Sequence, residues 1–547
     1  MAFRTNKNQQ MCMNDPIYGL TERELKALRE SWAEDFANHI FPNLNEEPFS
    51  VLFSDNDASK PNTPINIILG LLILKEQFGL TDEECMHQLL FNTQYQYALH
   101  TSSFEEQPVN DNTFRRFRNR VGEYEERTGT DLIKEAFTAL TTKLADVMDI
   151  DPSLKRMDSA MISSGFRRLS RLNIMHETLR LSARLLGKSG NSTPLSEKYG
   201  GDTEPRDIGY RLKSEDIPAK MKEMLDDAIA LLAEYPEELK GSEAFVGLSR
   251  MIGDQSKMTE DGRVIKEGKE ISPESMQTPH EQDATYRKKA GKGNVGFVAN
   301  FVETCDGDNN LITDYDMQKN TYTDIQFCKD TLGAMADGGG ETKTMIADGA
   351  YGSTEILDMA ETKNIEVATT SLSGGLQGTF EAQFKFDSDG NITECPAGHS
   401  PIDARRGNDL SQAHFDTGTC MNCTYCDRCP GVFQKKAALI VIKDTALKKA
   451  EFAQRQDTAE YWTLAKKRNG VEGVPSVLRR RYGIDHMRDK GLVRKRQRLG
   501  IKLMAVNAVR LTKWRINRGK SAPAVLCFLF IRFSNLIFRK SAQLSIA

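Results

Sequence analysis

The chain of 547 residues is too long for one compact core and predicts several domains or large insertions. Its 39% hydrophobic and 27% charged residues are typical of an ordinary soluble protein. The first 16 residues are polar, and the longest apolar run, 524–538, is broken by Arg532 and shorter than the about 20 residues that a membrane span needs. We therefore expect no secretion signal and no membrane contact. Ten cysteines are then expected as thiols or metal ligands before disulfides.

The net charge of −4 hides an uneven distribution. Residues 461–547 carry 21 Lys and Arg against three acidic residues, whereas residues 1–460 carry 52 Lys and Arg against 74 acidic residues. Such asymmetry favours a nucleic-acid contact near the carboxyl terminus. The alternative is a cationic helix face that only stays solvated.

The first region, residues 1–145, reads as a helical domain. Thr21 to Glu24 and Thr81 to Glu84 have capping-box spacing, and 64–78 is apolar enough for a buried helix. A basic helix follows at 111–120. These residues fit a DNA-binding domain or a plain helical packing domain.

Asp158 stands in an apolar, strand-like run, 156–162, where an unpaired charge would be costly to bury. Residues 165–282 then read as a helical, acidic insertion, with helices at 172–186 and 217–235 and polar loops at 202–216 and 257–282.

A pair of neighbouring strands is expected next, at 295–302 and 311–315, joined by a turn at 306–308. A helix at 321–335 would then lead to the next acidic candidate.

The run Met345 to Ala347 ends abruptly at Asp348, before two glycines and a helix start at Ser353. A helix at 354–363 and a strand at 365–369 complete an αβ half-unit. Asp348 is thus expected at the carboxyl end of a buried strand, the edge at which open α/β sheets bind ligands. A strand-terminal aspartate is also a common turn former.

A Cys-rich insertion is expected at 370–445. Cys395 is followed by four cysteines at a repeated two-residue spacing, the spacing that tetrahedral thiolate sites use: Cys420, Cys423, Cys426 and Cys429. Five cysteines compete for four positions, so the ligand set stays open. A structural zinc site and a set of free thiols are both consistent with the pattern.

The last acidic candidate, Glu472, lies in a basic stretch between Arg468 and Arg479–Arg480. Further on, 494–498 is strongly basic and 503–511 has helical spacing, which predicts a helix that packs on the sheet by one edge and presents Arg494, Lys495 and Arg496 to DNA. No role is assigned to the tail at 515–547.

Three motifs in this chain resemble those of the DDE transposases of bacterial insertion sequences. The first surrounds Asp158, the second runs from Ala347 to Ser353, and the third is Arg468-x3-Glu472-x6-Arg479. Ala465 stands where many relatives have a tyrosine. The resemblance covers residues 15 to 515.

The resemblance implies an α/β fold: a ribonuclease-H-like mixed sheet flanked by helices at 150–547, preceded by the all-α domain. It also implies that Asp158, Asp348 and Glu472 hold two Mg²⁺ or Mn²⁺ ions, which suit oxygen ligands and in-line displacement at phosphorus. Arg468, Arg479 and Arg480 would then lie near the DNA backbone.

The activity implied is strand cleavage and strand transfer at the element's terminal repeats. The partners implied are those repeats and target DNA, with homo-oligomerisation on the DNA and a cytoplasmic, nucleoid-associated location. The alternative is a non-catalytic DNA-binding protein derived from a transposase, in which the cysteines and the basic tail do the binding.

Overall fold

The computed structural model describes residues 1–6, 16–56, 58–101, 109–201, 208, 212–260, 262–289, 291–335, 341–347, 353–369, 379–456, 458–467 and 473–518. The helices are α1 Glu22–Glu30, α2 Trp32–Asp35, α3 Ile65–Phe78, α4 Asp82–Phe91, α5 Thr93–Ala98, α6 Asp111–Thr128, α7 Leu132–Met148, α8 Arg171–Lys188, α9 Pro194–Tyr199, α10 Ile217–Ala233, α11 Glu243–Gln255, α12 Asp324–Ala334, α13 Thr354–Thr362, α14 Thr417–Met421, α15 Asp444–Gln456, α16 Ala459–Lys467, α17 Gly473–Tyr482 and α18 Leu492–Asn517. The strands are β1 Leu154–Ser163, β2 Ser256–Thr259, β3 Gly262–Ile265, β4 Thr285–Lys289, β5 Lys292–Asp306, β6 Asn309–Lys319, β7 Thr344–Ala347, β8 Glu366–Thr369, β9 Lys385–Phe386, β10 Ile392–Glu394, β11 Asp403–Arg406, β12 Leu410–Phe415, β13 Val432–Phe433 and β14 Ala438–Lys443.

The main sheet is mixed and has β1 at its centre. On one side β1 pairs antiparallel with β5, which in turn pairs antiparallel with β4 and β6. On the other side β1 pairs parallel with β7, and β7 pairs parallel with β8. The six-stranded sheet thus has four strands joined by antiparallel pairing and two further parallel strands beside β1. With its flanking helices it agrees with the expected ribonuclease-H-like α/β fold.

The sheet is covered on both faces, which explains the almost continuous burial of β5 from Phe297 to Cys305. Because side chains alternate along a strand, Met157 of β1 joins the core under α12 and α13, whereas Ala160 and Ile162 face the opposite way. Asp158 is on the same face as Ala160. The residues that surround this aspartate therefore come from the helices on that face.

The helices of the amino-terminal region share one hydrophobic core with that face of the sheet and with α18. Helix α3 is buried from Ile65 to Gln77, as its apolar sequence predicts, and both predicted capping boxes are present. Gly500, near the middle of α18, allows close contact with β6, because a Cβ there would collide with Tyr315 and Ile133. The described helices of the amino-terminal region thus pack together with α18.

Helix α18 also covers the edge of the sheet at β6. The buried side chain of Asn507 accepts a hydrogen bond from the Ile312 N–H at 3.0 Å, and it donates one to the Ile312 carbonyl at 2.8 Å. The N–H and the carbonyl of Ile312 on this edge strand, which would otherwise lack partners, thus have hydrogen bonds.

The region 165–282 forms a separate hydrophobic cluster, built mainly from α8, α10 and α11. The two long helices predicted there are present. The polar stretch 257–282, which the sequence predicts as loop, begins instead with the hairpin of β2 and β3. This hairpin is polar and largely exposed, so it has no apolar alternation to reveal it.

The Cys-rich region folds as a small β module at 380–443. Strands β11, β12, β14 and β13 form a four-stranded antiparallel sheet, and β9 pairs with β10 beside it. Its core contains Phe384, Phe415, Ile440 and Ile442. Strand β14 leads directly into α15, so the module is inserted between β8 and the helices that follow.

Candidate active site

Strand β1 positions Asp158 in the centre of the main sheet. Asp158 pairs with Phe301 of β5 and is half-buried. One of its carboxylate oxygens accepts the N–H of Ser159 at 2.9 Å. The Ser159 hydroxyl lies on the other face of the sheet, where it donates to Asp324 at 2.7 Å.

Strand β7 ends beside this position. Arg156 of β1 pairs with Ile346 of β7, and β7 ends one residue later at the buried Ala347. Ile346 packs against α16, on the face of the sheet that carries Asp158. Asp348 follows Ala347 directly but lies outside the described residues.

Arg468 and Glu472 belong to the segment 468–472, which also lies outside the described residues, but both flanks of this segment contact β1. Helix α16 ends at Lys467, whose carbonyl accepts a hydrogen bond from Arg156 Nη1 at 2.9 Å. Helix α17 begins at Gly473, and its Arg479 donates from Nη2 to the Met161 carbonyl at 2.9 Å. Both anchoring points are within three residues of Asp158 on the same strand.

Arg156 is itself held by a buried ion pair. Its Nε atom donates to Glu303 of β5, whose side chain is fully buried. The other oxygen of Glu303 pairs with Arg510 of α18 at 2.5 Å. The sequence alone does not single out Arg156. The available signal was its place two residues before an aspartate in a strand, which puts both side chains on one face.

Helix α16 is fixed to the sheet through Tyr461. The Tyr461 hydroxyl donates to the Thr369 carbonyl at 2.6 Å and accepts the Thr369 N–H at 2.5 Å, where β8 ends. The ring packs with Ile346 and Ala368. This contact explains why α16 lies over the ends of β7 and β8.

Helix α17 presents arginines at the surface. Arg479, Arg480 and Arg481 have exposed side chains in its last turn. Arg479 also pairs with Asp485 at 3.1 Å. The face of the molecule next to the Glu472 segment is therefore cationic.

The expectation that Lys495 and Arg496 contact DNA is corrected by their burial. The Lys495 side chain is 1% exposed and lies 3.4 Å from Glu281, with its ammonium donating to the Met487 carbonyl. Arg496 pairs with Glu125 and lies 3.6 Å from Asp131. These cations neutralise buried acids of other elements and face the interior.

Arg494 is more exposed than Lys495 and Arg496, but unlike a freely solvated cation it has partners in the protein. Its side chain is 37% exposed, donates to Asn119 at 3.3 Å and lies 3.9 Å from Glu126. It remains at the surface, so its contact with DNA stays a prediction.

The five cysteines of the β module line one small cavity of about 30 Å³, together with His399 and Tyr425. Burial raises the pKa of the Cys420 and Cys429 thiols, and the neighbouring cysteines add to the effect. Within the described part of the chain, no group of three or more His, Cys, Asp or Glu side chains has the arrangement of a metal site.

The comparison with known families agrees with this arrangement. Residues 394–512 match the model described as a transposase DDE domain, and residues 24–120 match the model described as a transposase domain, DUF772. No curated protein and no solved structure gives a significant match. Both matched segments are thus similar to parts of transposases. More particularly, the two matches support a DDE transposase of an insertion sequence.

The matched segments cover the candidate residues unevenly. Glu472, the cavity cysteines and α17 lie inside the segment 394–512, whereas Asp158 and Asp348 lie outside both segments. Helix α18 is inside the segment 394–512 up to residue 512.

Among the helices of the described residues, none is long and apolar enough to cross a membrane.

Proposed function

We propose that the protein cleaves DNA strands at the terminal repeats of an insertion sequence and transfers them to target DNA. The observation that supports this most is the role of β1. This strand carries Asp158, lies beside the end of β7 that precedes Asp348, and contacts both flanks of the segment that contains Glu472.

The strand geometry favours a common face for the acids. Ile346 faces α16, so a strand continued by two residues would place Asp348 on the same face as Ile346, Arg156 and Asp158. Arg156 and Arg479 bring the two ends of the Glu472 segment to that face. Three carboxylates near one point are a donor set suited to hard divalent cations.

Asp158, Asp348 and Glu472 would hold Mg²⁺ or Mn²⁺. When bound, these ions activate the attacking oxygen and stabilise the leaving oxygen at phosphorus. The chain itself contributes the positions of the acids. Arg156, tied to Glu303, sets the end of α16 and with it the start of the Glu472 segment.

The exposed arginines of α17 would hold the DNA backbone beside this site. Arg480 has an exposed side chain, and Arg479 and Arg468 are on either side of the acid in sequence. Phosphate contacts of this kind position the DNA without reading its sequence. The terminal repeats would be recognised by the amino-terminal helices, in a homo-oligomer assembled on DNA in the nucleoid.

The test uses a labelled fragment with the element's terminal repeat, in the presence of Mg²⁺ or Mn²⁺. Wild-type protein should nick the fragment at the repeat and join it to target DNA. Asp158→Asn, Asp348→Asn and Glu472→Gln should each abolish cleavage while DNA binding in a mobility-shift assay persists. Asp308→Asn, in the exposed turn after β5, is the matched control and should cleave normally.

Two outcomes would contradict the proposal. Cleavage that survives all three substitutions would show that these acids are not the site. Specific binding without any wild-type cleavage would favour the non-catalytic DNA-binding protein.

A further inference from the structure

The cysteine cavity brings together two segments that are distant in sequence. Cys395 lies in a tight turn at the end of β10, where Gly398 (φ 84°) donates its N–H to the Cys395 carbonyl at 2.8 Å. Cys420 lies near the end of α14, and Cys423, Cys426 and Cys429 follow this helix in the loop that leads to β13. Both segments line the same cavity of about 30 Å³.

A backbone N–H group points at one of the sulfurs. The N–H of Tyr425, two residues after Cys423, donates to Cys423 Sγ at 3.4 Å. Hydrogen bonds of this kind favour the charged thiolate, which is the form that binds a metal.

Four of the five cysteines make contacts that set them apart from Cys426. Cys395, Cys420 and Cys429 pack against the apolar core of the module. Cys423 accepts the Tyr425 N–H. Among the contacts of the described residues, Cys426 lines the cavity but makes neither kind of contact. These contacts select one set of four from the five candidates.

We propose that Cys395, Cys420, Cys423 and Cys429 bind a structural Zn²⁺ ion, with Cys426 outside the ligand set. Each thiol loses its proton to solvent on binding, and the four sulfurs move inward from the cavity wall by side-chain rotation to about 2.3 Å from the ion. No oxidation is involved. The ion then joins the turn after β10 to the loop before β13.

Such a site would stabilise the elements that connect the module to the Glu472 segment. Strand β14 continues into α15, which is held to α13 by the ion pair of Lys448 with Asp358 and to β8 by the pair of Arg455 with Glu366 at 2.7 Å. Helix α16 follows directly. The zinc site is independent of DNA cleavage, so it can be present or absent whichever function holds.

The test measures metal in the full-length protein purified under reducing conditions. Wild type should contain about one zinc per chain by elemental analysis. Cys423→Ser should lose most of this zinc and melt at a lower temperature, whereas Cys426→Ser, the matched control in the same loop, should keep both. Cys305→Ser, outside the module, should also retain zinc.

A second measurement does not depend on variant folding. Zinc is removed from wild-type protein with a chelator and replaced by Co²⁺, and the absorption spectrum should show tetrahedral thiolate coordination. Wild-type protein that holds neither zinc nor cobalt would overturn the site. Loss of zinc from Cys426→Ser to the same extent as from Cys423→Ser would overturn the ligand set.

Discussion

Helices α17 and α18 are both rich in Lys and Arg, but they use these cations differently. The last turn of α17 exposes three arginines. Helix α18 buries Lys495 and Lys502 and places Arg496 and Arg498 against buried acids of the amino-terminal helices, such as Glu125 and Glu76. A basic stretch therefore indicates a DNA contact only where its cations are exposed and are not neutralised by buried acids of the same chain.

The largest effect is expected from Arg496→Ala, which removes a cation from the α18 cluster. Glu125 and Asp131 are then left without it in the interior, and breaking a buried pair costs about 3–5 kcal/mol. Denaturant unfolding should show this loss. Arg480→Ala, from the exposed group, is the control and should change stability by less than about 0.5 kcal/mol. Equal effects of the two substitutions would contradict the distinction.

The acid next to Arg496 provides a pH test of the same cluster. Burial raises the pKa of Asp131 to about 6, and nearby Glu125 adds to the shift. Ionisation of this carboxyl therefore opposes folding, and the cost appears as the pH rises from about 4 to about 6. Asp131→Asn keeps the cap on α7 and should raise the free energy of unfolding by up to about 3 kcal/mol at pH 7.

The gain in the free energy of unfolding from Asp131→Asn should vanish at pH 4, where the Asp131 carboxyl of the folded wild type is protonated and as neutral as the asparagine of the variant. Unfolding curves of the variant and wild type at the two pH values measure this. A variant that is less stable at pH 7 than wild type would show that attraction to Arg496 outweighs the cost of burial.

Arg156 is a buried cation with an expected effect on catalysis. Arg156→Lys keeps a charge near Glu303 but cannot also reach the Lys467 carbonyl, so the end of α16 that precedes the Glu472 segment loses its anchor while the Arg479 contact remains. We expect cleavage to slow by roughly 10- to 100-fold, since small misplacements of catalytic groups have effects of this size. DNA affinity should not change.

Arg510→Lys is the matched control for Arg156, because Arg510 also pairs with Glu303 but does not contact Lys467. If both variants cleave equally slowly, Arg156 acts through general stability and not through the position of α16.

The smallest effect on stability is expected at the exposed arginines. Arg480→Ala should weaken DNA binding several-fold and lower the slope of log affinity against log salt by about 1, as expected for one lost phosphate contact. Fluorescence anisotropy at several salt concentrations measures this. An unchanged slope would mean that α17 does not touch the DNA backbone.

The sequence predicted the helices and strands of this fold better than the residues that each of them contacts. Strong local signals were confirmed: the apolar α3, the capping boxes at Thr21 and Thr81, and the strand that ends before Asp348. The hairpin of β2 and β3 was missed because it is polar. The acids that pair with α18 could not be found, since Glu125 is 371 residues away from Arg496 in the chain.

The same limit applies to the candidate site. The apolar, strand-like run 156–162 already placed Asp158 in a strand, but nothing local indicated that Arg156 holds the end of α16. That contact spans 311 residues. Convergence of Asp158 with Asp348 and Glu472 remains a prediction, because the last two residues lie outside the described part of the chain.

The shared core of the amino-terminal helices and α18 has a consequence for protein synthesis. Helix α7 ends at Met148 and α18 begins at Leu492, so at about 5–20 residues per second the ribosome needs roughly 20–70 s to produce the last helix after the first ones emerge. During this interval the apolar faces of the early helices lack the cover that α18 supplies in the folded protein. Nascent chains that stop before α18 should therefore be substrates for chaperones and proteases.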